Sequence, residues 1–84
     1  MLTLALLAAA GGCPNGPILE AVSARLAGEL RETVRARPGA HSAGVAHIRH
    51  DCGADCASVL VTRSWRPSAR ETWRLTRTGW QPAR

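Results

Sequence analysis

Ala57-Ser58-Val59-Leu60-Val61-Thr62-Arg63-Ser64-Trp65 is the run whose reading decides the fold. Its near-continuous apolar and β-branched character suits a strand covered on both faces, which places it at the centre of a sheet. Two weaker runs flank it, Val45 to His50 before and Glu71 to Arg77 after. In the later run Trp73 and Leu75 fall on one face and Thr72, Arg74 and Thr76 on the other, the alternation of a strand with one buried and one wet side. The intervening RPSAR, with Pro67, reads as a turn. Thr78-Gly79-Trp80 turns the chain again and gives Trp80 a place on the sheet or against a helix.

Upstream, the spacing predicts a helix beginning near Pro17 and stopped by Pro38-Gly39. Leu19, Val22, Leu26, Leu30 and Val34 recur at three- and four-residue intervals and form one apolar stripe. Glu20 falls near the positive end of the helix dipole, and Arg35 and Arg37 near the negative end. Arg25/Glu29 and Glu32/Arg35 are spaced to pair on the exposed face. The charges balance, so the stripe is expected to pack on a sheet rather than lie on a membrane. The resulting expectation is an α+β domain, one amphipathic helix packed on a three-stranded antiparallel meander in two layers.

Eighty-four residues hold at most one domain, and without the first dozen a single core is only marginally stable. A covalent staple would therefore matter. The net charge of +5 is unevenly placed. Five Arg balance five acids from Met1 to Cys56, while from Ala57 onward six Arg face Glu71 alone. An anionic partner should meet the C-terminal third.

Residues 1–12, MLTLALLAAAGG, form an uncharged apolar run too short for a spanning helix but suited to the apolar region of an export signal. Small residues lead directly into Cys13, and LLAAAGGC resembles the signal of bacterial lipoproteins. The resemblance implies cleavage before Cys13, lipidation of that residue, and a membrane-anchored place in the cell envelope. No Lys or Arg precedes the run, and Ala10 stands where that family usually has Leu. An ordinary cleaved signal ending near Ala10 to Gly12, or an uncleaved apolar helix, also fits the run. Residues 13–16 then form a tether, and 17–84 the domain.

His47-Ile48-Arg49-His50-Asp51-Cys52-Gly53-Ala54-Asp55-Cys56 concentrates the remaining chemistry. Strand alternation sends His47 and His50 to opposite faces. His50, Cys52 and Cys56 share a side and could hold zinc or copper, or act as a thiol-redox group. CxxxC beside a His occurs in periplasmic copper chaperones, which resemble thioredoxins, but this chain is too short for that fold. Neither Cys is followed by a helix-like run that would lower a thiol pKa. The favoured reading is a Cys52–Cys56 disulfide closing the hairpin loop, since export supplies an oxidising compartment and lipid on Cys13 leaves an even pair.

No Ser/His/Asp arrangement, phosphate loop or carboxylate pair can be assembled, so an enzyme is not expected and no cofactor is implied. Trp65, Trp73 and Trp80 interleave with Arg63, Arg66, Arg74 and Arg77, a surface suited to an anionic envelope polymer, lipid headgroups or a protein partner. A nucleic-acid-binding module is a further alternative that an exported chain would seldom serve. These readings converge on a small exported envelope protein, membrane-anchored or secreted, with a non-catalytic binding or structural role.

Overall fold

A computed structural model of the chain describes residues 15–83. The signal-like segment 1–12, Cys13 and the first half of the tether lie outside the described residues. One helix, α1 (Gly16–Thr33), precedes four strands, β1 (Ala43–Arg49), β2 (Cys56–Arg63), β3 (Arg66–Thr76) and β4 (Gly79–Pro82). The strands form a single antiparallel sheet in the order β1-β2-β3-β4, and α1 packs across one face. The α+β architecture is as expected, but the sheet has four strands rather than three.

The extra strand arises at Gly79-Trp80. Thr76 and Gly79 pair across a two-residue turn, and Thr76 Oγ1 donates to the Gly79 carbonyl at 2.8 Å. Gly79 adopts φ 112°, a conformation that strains any residue with a Cβ, so the chain can reverse here where a side chain would resist. Trp80 then lies opposite Leu75 and Pro82 opposite Trp73, on the helix-facing side.

RPSAR is strand rather than turn. The reversal falls one step earlier, at Ser64-Trp65, and β3 runs through Pro67. Between Val61 and Arg63 the ladder shifts register, β3 using one residue more than β2. That bulge accommodates Pro67, which has no N–H to give a regular ladder.

Helix α1 ends at Thr33, so Arg35 and Arg37 lie beyond it and are exposed. Thr33 accepts from the N–H groups of both Ala36 and Arg37, tightening the chain into turns ahead of Pro38, which disfavours helix in the residue before it. The buried helix residues are Ile18, Val22 and Leu26, not the whole Leu19–Val34 stripe. Leu19 is 43% exposed and Val34 51%. At about 100° per residue, a row of four-residue steps drifts by about 40° each time, so Leu30 is only half-buried and Val34 has left the sheet. The same geometry puts Glu29 only about 20° from Val22, facing the sheet.

The core forms where that helix row meets the inner face of β2 and β3. Ile18, Val22, Leu26, Ala57, Val59, Val61 and Trp73 are essentially excluded from solvent. Ala57 sits opposite Trp73, a small residue beside the largest, and Ile48 of β1 joins the same face opposite Val59. Ile18→Ala is expected to cost about 2–5 kcal/mol and Leu19→Ala less than about 1 kcal/mol. Denaturant unfolding of the two variants checks this, and equal losses would contradict the helix register.

Candidate functional site

Strand alternation divides the charged side chains between the two faces of the sheet, and the division defines the candidate site. Residues directly opposite one another in an antiparallel ladder share a face. Beginning from the buried Trp73, the inner face takes Glu71 and Leu75, and the outer face takes Arg70, Thr72, Arg74 and Thr76. Across the ladder, His47 and Arg49 of β1, Ser58 and Leu60 of β2 and Gln81 of β4 join that outer face. Among the described residues no element covers it, and its strand positions carry three Arg and no Asp or Glu.

Arg70 is fixed rather than loose. Its Nη1 donates to Ser58 Oγ at 3.1 Å, which holds the guanidinium across β2 and buries the serine hydroxyl beneath it. Arg49 lies near the loop carboxylate of Asp51, at 3.9 Å with both side chains half exposed, a separation that leaves the cation largely available. Arg74 completes the row beside Arg70 on β3.

Arg63, expected on the anionic-partner surface, belongs instead to the interior. It is 7% exposed, and its Nε donates to Glu29 Oε1 at 2.8 Å while Nη2 reaches Glu29 Oε2 at 3.2 Å and Glu71 Oε2 at 3.0 Å. Glu71 Oε1 accepts in turn from Trp73 Nε1 at 3.2 Å. Burial alone would lower the Arg63 pKa, but the hydrogen bonds it donates to Glu29 and Glu71, with their charges, outweigh it and raise the pKa above its ordinary value. A cation with a raised pKa contributes stability that persists below its unfolded value and is lost only as pH rises through the folded one, so this network stays charged across the physiological range. Arg25 approaches Glu29 only to 3.9 Å, so the expected surface pair is subordinate to the buried one. Among the described residues every buried side-chain nitrogen and oxygen has a partner.

Of the other expected surface cations, Arg66 is exposed but, lying beyond the bulge and opposite Arg63, turns to the helix side near Glu29, Thr33 and Arg37. Arg77 occupies the exposed β3–β4 turn. Arg49 and Arg70 escaped the sequence reading. Arg70 was hidden because Pro67 made its segment look like a turn, yet two-residue alternation carried back from Trp73 would have found it.

Cys52 and Cys56 are joined as a disulfide with 5.4 Å between their Cα atoms. Joined to each other, they offer no thiolate to a metal at His50, and His50 Nε2 instead meets Asn15 Oδ1 at the start of α1. Among the described residues no group of three His, Cys, Asp or Glu side chains is placed to hold a metal ion. The loop is tied to the sheet through the Leu75 N–H donating to the Asp55 carbonyl at 2.9 Å.

No family model, curated protein or solved structure matches this chain.

The inner side carries an open groove of about 780 Å³ between the first half of α1 and the β3–β4 hairpin. Ala21, Ala24, Trp73, Leu75 and Trp80 form its walls. Leu75 is 44% exposed there because α1 crosses the sheet beside it rather than over it. Trp73 and Trp80 on this side, and Trp65 in the β2–β3 turn, leave the arginine-bearing face without an aromatic stacking platform.

Two stability changes follow. Arg63→Ala, which leaves Glu71 without a cation and Glu29 with only Arg25 at 3.9 Å, is expected to cost about 3 kcal/mol, measured by denaturant unfolding. Replacing both Cys52 and Cys56 by Ser should cost about 2 kcal/mol by the loop-entropy estimate for a five-residue ring. A melting temperature unchanged by reductant would contradict the second.

Proposed function

We propose that this chain is a small exported protein of the bacterial cell envelope, anchored by lipid on Cys13, whose folded domain binds an anionic envelope surface without catalysis. The observation that carries the binding role is the uncovered sheet face on which Arg49, Arg70 and Arg74 stand with no strand carboxylate among them. Such a face attracts phosphate or carboxylate groups over its whole width, and the rigid ladder holds the cations at fixed spacing.

The anchor rests on LLAAAGGC. The placement of the described domain's first residues suits such an anchor. Helix α1 starts beside His50, at the end of the sheet where β1 finishes, β2 begins and the Arg77 turn lies. A tether leaving Asn15 toward a membrane therefore brings Arg49, Arg74 and Arg77 to the headgroup side, where each Lys or Arg contributes about 1 kcal/mol. Among the described residues no helix is long and apolar enough to cross a membrane.

Binding is tested with the chain and its Arg49→Gln/Arg74→Gln variant, using vesicles of phosphatidylglycerol and phosphatidylcholine, vesicles of phosphatidylcholine alone, and a soluble anionic polymer. Retention on the anionic vesicles or polymer should fall roughly thirty-fold in the double variant and weaken with added salt. Equal binding to neutral vesicles, or an unchanged double variant, would overturn the reading. Intact mass of the native protein checks the anchor, which an unprocessed Met1 would refute.

A further inference from the structure

Strand β4 is too short for the strand it accompanies. It has 4 residues against 11 in β3, and its pairing runs only from Thr76↔Gly79 to Trp73↔Pro82. One further bond, from the Ala83 N–H to the Thr72 carbonyl at 2.8 Å, is the last along this lane among the described residues. On that side, among the described residues, no strand lies beside β3 from Arg66 to Glu71. This unpaired stretch is about 20 Å long at about 3.3 Å per residue, of which the part from Ser68 to Glu71, about 13 Å, lies clear of Pro67.

The backbone along this edge is set to accept a strand. The Thr72 carbonyl faces β4, whereas the Leu75 N–H faces β2, so the even-numbered residues of β3 present their backbone groups outward. Two residues before Thr72, the N–H and C=O of Arg70 therefore point to the same outer side. At the far end Pro67 and the bulge limit the edge, so pairing would run from Ser68 toward Thr72. Where β4 stops there is a concavity of about 480 Å³ lined by Arg70, Glu71, Thr72, Arg74, Pro82 and Ala83.

Charge specifies what fits. On the outer face the vacant lane runs beside Arg70, while Arg74, itself opposite Gln81 of β4, lines the concavity where the lane begins. On the inner face it runs beside Glu71, whose carboxylate is already engaged by Arg63 and Trp73. We propose that an extended segment of a partner protein, acidic at alternate positions, adds to the free edge of β3 in line with β4. Its backbone pairs with Arg70, its acidic side chains meet Arg70 and Arg74, and its other side chains are apolar or neutral. Strand addition of this kind takes its affinity from main-chain hydrogen bonds and its specificity from alternate side chains. Opposite charges directly across the ladder add to it. This inference rests on the anion-binding reading of the outer face and names the partner for it.

The test uses the full chain with a synthetic peptide of alternating Glu and Val, the same peptide N-methylated at alternate residues, and the anionic vesicles and polymer already described. The unmodified peptide should slow amide exchange at Arg70 by about tenfold, and the peptide N-methylated on its Glu residues, with equal charge but with the Glu-bearing edge blocked, should bind more weakly and leave Arg70 exchange unchanged. Unchanged Arg70 exchange with the unmodified peptide, or equal binding of the two peptides, would overturn the inference and leave Arg70 and Pro67 as guards against edge association. If the peptide fails while the vesicles or polymer still bind, strand addition falls and anion binding stands. If nothing anionic binds, both fall.

Discussion

The buried guanidinium of Arg63 joins the two layers of this small domain. It grips Glu29 of the helix through two nitrogens and Glu71 of β3 through one of them, while Glu71 also takes the indole N–H of Trp73. Removing a cation from water is costly, and here three oriented hydrogen bonds to carboxylates offset that cost. A purely apolar contact between one helix and a flat sheet could slide by a turn with little loss. The Arg63 fork selects one helix position, because only Glu29 brings a carboxylate to it while Ile18, Val22 and Leu26 cover Ala57, Val59 and Val61. The same network assigns charge to faces: it gathers the acids of the helix and β3 around Arg63 on the inner side and leaves the outer sheet face with arginines alone.

The other constraints serve the margins of that arrangement. The Cys52–Cys56 bond closes the loop between β1 and β2, His50 ties that loop to the start of α1, and the Leu75 N–H ties it to β3. At the opposite end Ser64 Oγ donates to the Gly39 carbonyl at 2.6 Å and receives the N–H groups of His41 and Ser42, fastening the helix-to-β1 connection to the β2–β3 turn. Both ends of a two-layer domain with a thin core are thereby held by polar or covalent ties rather than by further burial.

What the sequence revealed was largely periodic. The apolar run Ala57–Trp65 gave an internal strand, the alternation around Trp73 gave β3 its inner and outer faces, and the four-residue spacing gave α1. The paired cysteines were readable because only two lay near each other across a turn. What stayed hidden were features set by tertiary register. Pro67 concealed half of β3, because whether proline ends a strand or sits in a bulge depends on the neighbouring strand. Glu29 looked like a surface partner for Arg25, because only the helix's rotation on the sheet shows that it faces inward. Arg63 was grouped with exposed arginines for the same reason, and Arg49 and Arg70 took its place on the outer face.

The sheet's β1-β2-β3-β4 order also shapes how the domain can assemble. Every ladder joins neighbours in sequence, so three hairpins can close with short loops and little entropy each. The ion pair from Arg63 to Glu29 spans 34 residues, so laying the helix on the sheet is the entropically costlier step. Until that step occurs, the inner face of β2 presents Val59 and Val61 to water beside an unneutralised arginine. The residue that fixes the folded helix is thus also a charge within the most aggregation-prone strand while that strand is still uncovered.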